Sequence, residues 1–245
     1  MQGLILAAGR GSRLKELTAD RPKCMVCIDG ITLIERTLRS LDRLGLSRIV
    51  IVDGYCGDML RAYVASLGIK TAICYIRNPV YDSTNNIYSL YLAEDALCAD
   101  DTLLLESDII FDDAVLRCLY DDVRPDLVLA AKYEDWMDGT CLVLDGNDGI
   151  RRFIFGKAFD EEEKYSYYKT VNIYKFSKKF SQELYMPEMK KYRKRYGDGE
   201  YYEAALGALL EYAPESIWVK RLPAGMKWYE VDTAVDLANA SRVFQ

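Results

Sequence analysis

The stretch "LILAAGRGSRLKELTADRPK" (4–23) places two glycines, an arginine and a lysine directly after an apolar run. Gly9 and Gly11 carry no Cβ, so their backbone amides can approach a ligand closely. Consecutive amides of this kind form a nest for phosphate oxygens. Arg13 can grip two oxygens at once, and Lys23, ten residues later, adds a point charge. Two acids complete the pattern from far along the chain. Asp108 follows "LLLES" and Asp232 follows "WYEV", each at the end of a strand-like run. Two carboxylates on separate strand ends can converge on one hard cation, and Mg²⁺ takes one or two carboxylates together with phosphate oxygens and waters. Either aspartate also has a plain reading, Asp108 as a turn residue and Asp232 as the cap of a final helix. Glu106 is placed to support the site from behind, while Asp112 and Asp113 open the next helix, where acids complement its dipole.

The chain has no histidine. Mechanisms that use histidine as base, nucleophile or metal ligand are therefore excluded. Chemistry must run on carboxylates, lysine, arginine, backbone dipoles or a bound metal. Two familiar phosphate loops are excluded as well. A dinucleotide fingerprint needs a third glycine where "GRGSRL" has Leu14, and a Walker loop needs Gly-Lys-Ser/Thr, which is absent.

The elements that must carry these residues alternate. Strands are expected at 2–6, 48–52, "TAICYI" and 102–107, and helices at 32–44, 56–67 and 84–97. Thr32 and Glu35 read as a capping box and Gly45 as a stop. This alternation predicts an α/β fold, a mostly parallel (mixed) central sheet flanked by helices, with ligands bound beyond the carboxyl ends of its strands. The second half is richer in β-structure. "TCLVLDGNDGIRRFIFG" reads as a hairpin, "KTVNIYKFS", "SIWVKRL" and "KWYEV" as strands, and 200–212 and 233–244 as helices.

With 245 residues, half of them apolar, and a net charge of −6, the chain suits one domain and argues against nucleic acid as a partner. The basic cluster Lys190, Lys191, Arg193, Lys194 and Arg195 reads as a solvated helix face. Seven scattered cysteines fit reduced thiols and a cytoplasmic location. Cys24 and Cys27 lack the further ligands a zinc site needs and read as small core residues. No membrane span and no leader peptide is expected.

Taken whole, "LAAGRGSRL…T…RPK" resembles the signature of nucleotidyltransferases with a glycosyltransferase-A-like (GT-A-like) fold. The resemblance runs from the loop through Asp108 to "YEVDT" near the C-terminus. It implies a single nucleotidyltransferase domain over 1–245, with a nucleotide-binding part at 1–132 and an acceptor-binding part at 133–245. A fused or partner domain beyond this chain is also compatible. Such enzymes join a nucleoside triphosphate to a phosphorylated small molecule and release pyrophosphate. The resemblance assigns the triphosphate to Leu6, Ala7, Ala8, Gly9, Gly11, Ser12, Arg13 and Lys23, Mg²⁺ to Asp108 and Asp232, and catalysis to Arg13, Lys23 and Asp108. An acceptor that is already an oxyanion needs no general base, which suits a chain without histidine.

The segment "DSTNNIYSLYLAEDAL" resembles that of choline-phosphate cytidylyltransferases of the LicC type and of aminoalkylphosphonate cytidylyltransferases. The implied substrates are CTP and a small phosphorylated amine or phosphonate. Asn85 and Asn86 are candidates to read the base or fix the ribose, and equally candidates to cap the helix after Thr84. Aromatic faces attract ammonium groups, so Tyr133, Trp136, Tyr174 and Trp228 are candidates for the acceptor amine. Asp138 or Glu134 would neutralise it, and Lys169 and Asn172 would hold its phosphate. A sugar-1-phosphate nucleotidyltransferase, a non-catalytic nucleotide-binding subunit and a glycosyltransferase remain as alternatives.

Overall fold

In the computed structural model, which describes residues 1–244, the chain begins as expected. Strand β1 (Gln2–Ala7) is apolar and buried throughout. After it come a short hairpin, β2 (Cys27–Ile28) and β3 (Ile31–Thr32), and helix α1 (Leu33–Asp42). The Thr32 hydroxyl accepts from the Glu35 amide at 3.1 Å, but the Glu35 carboxylate turns to Arg39 and Tyr63, so only half of the expected capping box forms. Strand β4 (Ile49–Asp53), helix α2 (Gly57–Ser66) and strand β5 (Ile73–Arg77) follow, then helices α3 (Asn86–Leu92) and α4 (Glu94–Leu97). The helix expected at 84–97 is thus divided at Ala93, and its start is set by Asn85, whose side chain accepts from the Asn86 amide.

Strand β6 (Thr102–Glu106) runs into the short β7 (Ile109–Phe111), then α5 (Asp113–Tyr120) and β8 (Leu127–Lys132). The expected hairpin is β9 (Cys141–Leu144) with β10 (Ile150–Ile154). Strand β11 (Tyr168–Phe176) leads to α6 (Lys178–Phe180), which passes through one π-turn into α7 (Met186–Tyr196). Helix α8 (Tyr202–Leu210), strands β12 (Trp218–Arg221) and β13 (Trp228–Glu230) and helix α9 (Ala234–Val243) complete the chain. Thr233 and Asp236 form a full capping box at the start of α9.

Strands β5, β4, β1 and β6 are parallel neighbours. Antiparallel β11 extends the sheet beyond β6, β8 pairs along β11's other edge, and β12 closes that side. The β9–β10 hairpin pairs with the start of β11, where β6 has already ended. Both faces of the parallel core are covered. Leu4, Leu6, Val50, Val52 and Leu104 pack toward α3, α7 and α8, and their alternate neighbours Ile5, Ile49, Ile51, Leu103 and Leu105 pack toward α1, α2 and α5. Burial on both faces explains why these strands read as continuous apolar runs. At about 1.5–3 kcal/mol for each large side chain, this burial is the main source of stability. The described residues include no helix long and apolar enough to cross a membrane. Cys24 is buried as expected, whereas Cys27 is exposed.

Away from the cavity, Asp122 ties the loop before β8 to strands β11 and β12. Its carboxylate takes two hydrogen bonds from the Arg124 guanidinium, at 3.0 and 2.9 Å, and an ion pair with Lys220 of β12 at 3.0 Å. The Lys175 ammonium of β11 binds the Asp122 carbonyl at 2.5 Å. The Arg124 hydrogen bonds hold the Asp122 carboxyl well below the usual carboxylate range. A depressed folded-state value contributes stability above the unfolded value and loses it as pH falls. Asp122→Asn is therefore expected to cost about 1 kcal/mol near neutral pH, with the deficit shrinking below roughly pH 4. Urea denaturation of both proteins across pH reads this; an equal deficit at pH 3 and pH 7 contradicts it.

Candidate active site

The loop after β1 turns on Gly11, which adopts a left-handed conformation at φ 71°. A Cβ there would lie 2.8 Å from Cβ and Cγ of Lys23. Glycine is required both for the backbone conformation and because the lysine stem crosses directly over it. The Thr18 hydroxyl donates to the Gly11 carbonyl at 2.9 Å and fixes the turn. Lys23 itself is held in a short 3₁₀ turn, Lys23–Met25, and is nearly buried.

The two aspartates meet through the β7–β13 ladder. These strands pair antiparallel with Glu230 opposite Ile109, and the Val231 amide donates to the Asp108 carbonyl at 2.8 Å. Residues 124 positions apart in sequence are thereby set side by side. The Lys23 ammonium lies between them, 2.6 Å from the Asp108 carboxylate and in a short contact with Asp232. Arg13 reaches Asp232 from the solvent side at 2.8 Å. Burial alone would lower the Lys23 pKa, but the two carboxylates outweigh it and raise the value above that of an ordinary lysine. Against its own burial, Asp232 is held below the ordinary value by Lys23 and, beyond it, Arg13.

Asp108, Glu230 and Asp232 each offer a carboxylate oxygen within 4.8 Å of the others'. Asp108 Oδ1 is buried without a hydrogen-bond partner. An orphaned carboxylate oxygen beside two other hard oxygen donors suits Mg²⁺. Glu230 was missed in the sequence, although it stands two residues before Asp232 and alternate strand residues share a face. The pair Glu106 and Asp108 repeats that spacing at the end of β6. Burial pushes Glu230 up to about 7; Lys169 opposes the shift, and the charges of Asp108 and Asp232 add to it. Burial, followed by the charges of Asp108, Glu203 and Glu230, likewise raises Glu106 well above the ordinary range.

These groups face one cavity of about 770 Å³ at the carboxyl ends of β1 and β6. Leu6, Ala8, Gly9, Gly11, Ser12 and Arg13 line one side, with Asn85, Asn86 and Tyr133. Asp138, Lys169 and Asn172 line it as well. Ala7 does not, being committed to the core. Asn85 caps α3, and its amide nitrogen reaches the Gly199 carbonyl at 3.4 Å. Asn86 bridges the site: its nitrogen donates to Glu106 at 3.0 Å and its oxygen accepts from the Tyr202 amide at 3.0 Å. Both polar ends of that amide are therefore occupied by protein groups.

Three of the candidate aromatics stand elsewhere. Trp136 stacks on Tyr229, with ring centres 4.1 Å apart, and donates to Glu134. Trp228 is buried behind the cavity, its ring 5.9 Å from the Lys169 ammonium. Tyr174 is fully buried and donates to Glu203 at 3.2 Å. Proximity in sequence put these rings near the acceptor, but strand alternation turned Tyr174 and Trp228 into the core, and Trp136, in the turn after β8, packs half-buried on Tyr229.

Lys169 is buried and ion-paired with Glu230 at 3.2 Å. It also donates to the Thr170 carbonyl at 2.7 Å. Asn172 has φ 59°, a left-handed residue inside β11 where the pairing with β8 shifts register. Asparagine tolerates this conformation better than most residues. The irregularity turns its amide to Glu230, at 3.1 Å, and lets its oxygen accept from Thr170 at 2.9 Å.

Residues 3–168 match the model of the MobA-like NTP transferase domain. The chain belongs to that family. Among curated relatives, CMP-5'-(3-aminopropyl)phosphonate synthase of Streptomyces rubellomurinus is 29% identical over 244 residues, covering 98% of this chain and 38% of that protein. CTP:phosphoglutamine cytidylyltransferase of Campylobacter jejuni is 34% identical over 125 residues, 49% of this chain and 48% of its own length. The 2-aminoethylphosphonate cytidylyltransferase of Lancefieldella rimae is 33% identical over 110 residues, 45% of this chain and 44% of its own. The chain thus spans about two fifths to one half of the length of these relatives. The CTP:phosphocholine cytidylyltransferase LicC of Streptococcus pneumoniae superposes with a TM-score of 0.80 at 20% identity, over 100% of this chain and 99% of that one. The sheet order and these neighbours are those of the expected GT-A-like nucleotidyltransferase fold.

A cation that binds the carboxylates of the folded chain stabilises it. At ten times its Kd, Mg²⁺ is expected to add about 1.4 kcal/mol, or roughly 3–5 °C in thermal midpoint. Asp108→Asn and Asp232→Asn should each lose most of that shift. Differential scanning fluorimetry with and without MgCl₂ measures it, and an undiminished shift in Asp108→Asn removes that residue from the ligand set.

Proposed function

We propose that the chain is a Mg²⁺-dependent cytidylyltransferase that transfers CMP from CTP to a small phosphorylated amine or aminoalkylphosphonate and releases pyrophosphate. One observation carries this reading. The glycine loop, Lys23, Arg13 and the carboxylates of Asp108 and Asp232 share one cavity at the strand ends. The match to relatives named for CTP and for phosphonate or phosphoamine acceptors supports the choice of nucleotide and acceptor.

The chemistry asks little of proton transfer. The acceptor's phosphonate is an oxyanion at neutral pH and attacks the α-phosphorus of CTP directly; the α–β bridging bond breaks, and its electron pair leaves on pyrophosphate. The loop amides would hold the triphosphate in line for that displacement. Lys23 and Arg13 would face the charge that grows on the leaving oxygen. Mg²⁺ on Asp108 and Asp232 would supply further charge neutralisation on the phosphate oxygens. Lys169 is fixed by Glu230 and Thr170, so its charge is engaged within the cavity wall.

A single preorganised donor of this kind contributes about 2.7–4 kcal/mol to the transition state. Lys23→Ala and Asp108→Ala should each lower turnover by at least ~100-fold while circular dichroism shows an intact fold. Near-normal turnover in either variant defeats the assignment. The substrate pair is tested by a pyrophosphate-release screen of the four ribonucleoside triphosphates and dTTP against phosphorylated amines, aminoalkylphosphonates and sugar 1-phosphates. CTP with an amine-bearing acceptor should give the highest rate. A higher rate for UTP or dTTP with a sugar phosphate would establish the nucleotide-sugar reading instead.

A further inference from the structure

Acidic groups outnumber cations in the cavity, although burial raises Glu106, Glu203 and Glu230 toward their neutral forms. Seven carboxylates line it, against three cations, Arg13, Lys23 and Lys169. Asp108, Glu230 and Asp232 form the cation-binding group, and Arg13, Lys23 and Lys169 are all paired to its members. Glu106 is held by the Asn86 amide. Glu203, from the first turn of α8, stands outside the cation-binding group. It is 4% exposed and lines the cavity. One of its oxygens accepts from the Tyr174 hydroxyl at 3.2 Å, while the other, Oε2, is buried with no hydrogen-bond partner. Lys169 makes no hydrogen bond to it, the short contacts of its ammonium being with Glu230 and Thr170, although its charge partly offsets the effect of burial on Glu203.

A buried carboxylate oxygen left without a donor is costly unless a ligand supplies one. We propose that Glu203 is the residue that recognises the acceptor's amine, and that the site selects a primary ammonium over a quaternary one. The inference rests on the amine-acceptor reading above and goes further by naming the residue and the kind of amine. A primary ammonium carries three N–H donors, one of which Oε2 can accept. A trimethylammonium group has none, and attraction to it is best provided by aromatic faces. The tryptophans offered for such a cage, Trp136 and Trp228, do not line this cavity; the rings that do are Tyr81, Tyr133, Phe155, Phe159 and Tyr201, so the selectivity rests on the unmet Oε2 acceptor rather than on a lack of aromatic faces. A site built to hydrogen-bond a substrate N–H rejects analogues that lack it, because its own polar groups are then left unpaired. Tyr174 adds to the selectivity by fixing the other oxygen, so the carboxylate presents one defined acceptor.

The test compares three acceptors that differ only around the nitrogen. These are 2-aminoethylphosphonate, its N,N,N-trimethyl analogue and ethylphosphonate, each with CTP and MgCl₂. The wild-type chain should favour the primary amine by at least tenfold in kcat/KM over both others. In Glu203→Gln the preference over ethylphosphonate should fall to threefold or less, mainly through a higher KM for the aminophosphonate. Because the readout is a ratio within one variant, a general loss of activity or stability does not imitate it. An unchanged ratio in Glu203→Gln overturns the assignment of Glu203, and equal use of the trimethyl analogue by the wild type overturns the selectivity. Calorimetric binding of the same phosphonates separates this inference from the catalytic reading. Absence of pyrophosphate release with every triphosphate defeats the catalytic reading alone if the wild type still binds the aminophosphonate more tightly than ethylphosphonate and Glu203→Gln does not. Equal or undetectable binding of the two ligands by the wild type overturns the inference.

Discussion

The meeting of Asp108 and Asp232 around one ammonium is the constraint on which the site depends. Two carboxylates this close repel each other, and burial makes each costlier to ionise. Lys23 resolves both problems, standing between them at hydrogen-bond distance. Its stem can follow that route only because Gly11 leaves the space open. The phosphate loop and the acidic pair are therefore one mechanical unit. The loop's glycine is required by the lysine stem that reaches the acids, and Asp232 is kept ionised by that same lysine.

The sheet explains how residues so distant in sequence come together. Parallel β1 and β6 lie side by side and end at the same edge. Strand β13 then returns from the far C-terminal region to pair with β7, immediately beyond β6. The two-stranded ladder is short, but its register is fixed by the Val231–Asp108 backbone bond and by Ile110 and Tyr229 packing into the apolar cluster against α9. A one-residue slip would turn Glu230 and Asp232 to the opposite face. The capping box at Thr233 locks the chain directly after Asp232, so strand, ligand and helix start are set within six residues.

Much of this arrangement was legible before any coordinates. Leu4–Leu6, the two glycines and Lys23 announce themselves because local chemistry, a tight turn against an anion, leaves few residue choices. Asp108 and Asp232 were legible because acids at the ends of apolar runs mark strand ends. What stayed hidden depended on tertiary packing. Glu203 sits in "YYEAALGALLEY", where a lone glutamate near a helix start reads as a solvated residue that favours the dipole; only the placement of α8 against β10 and β11 buries it. Trp136 and Trp228 show the reverse. Their chemistry suggested a cage, but the face on which Trp228 lands follows from the register of a three-residue strand, which is not written in its own composition, and the turn that carries Trp136 lays it on Tyr229. The left-handed Asn172 belongs to the same class, since its position in β11 read as ordinary strand and became irregular only where β8 imposed a shift.

The charge pattern ties the two halves of the cavity together. Lys23 and Arg13 are bound to Asp232, and Lys169 is bound to Glu230, two residues earlier on the same strand end. Every cation that lines the cavity is thus anchored to one short segment, "YEVD". A ligand that draws charge from either end of this segment changes the field felt at the other, because only Val231 separates the two carboxylates and their environment is largely dry. The loop end holds its lysine and arginine against the acids. The inner end has Lys169 fully occupied and leaves Glu203 with an unmet acceptor. An anion at the first and an ammonium at the second would each relieve an imbalance that the folded chain cannot relieve internally. That opposition of charge along one cavity is what the proposed zwitterionic acceptor beside a triphosphate requires; the hydroxyls of a sugar phosphate would donate to the acidic end without matching its charge.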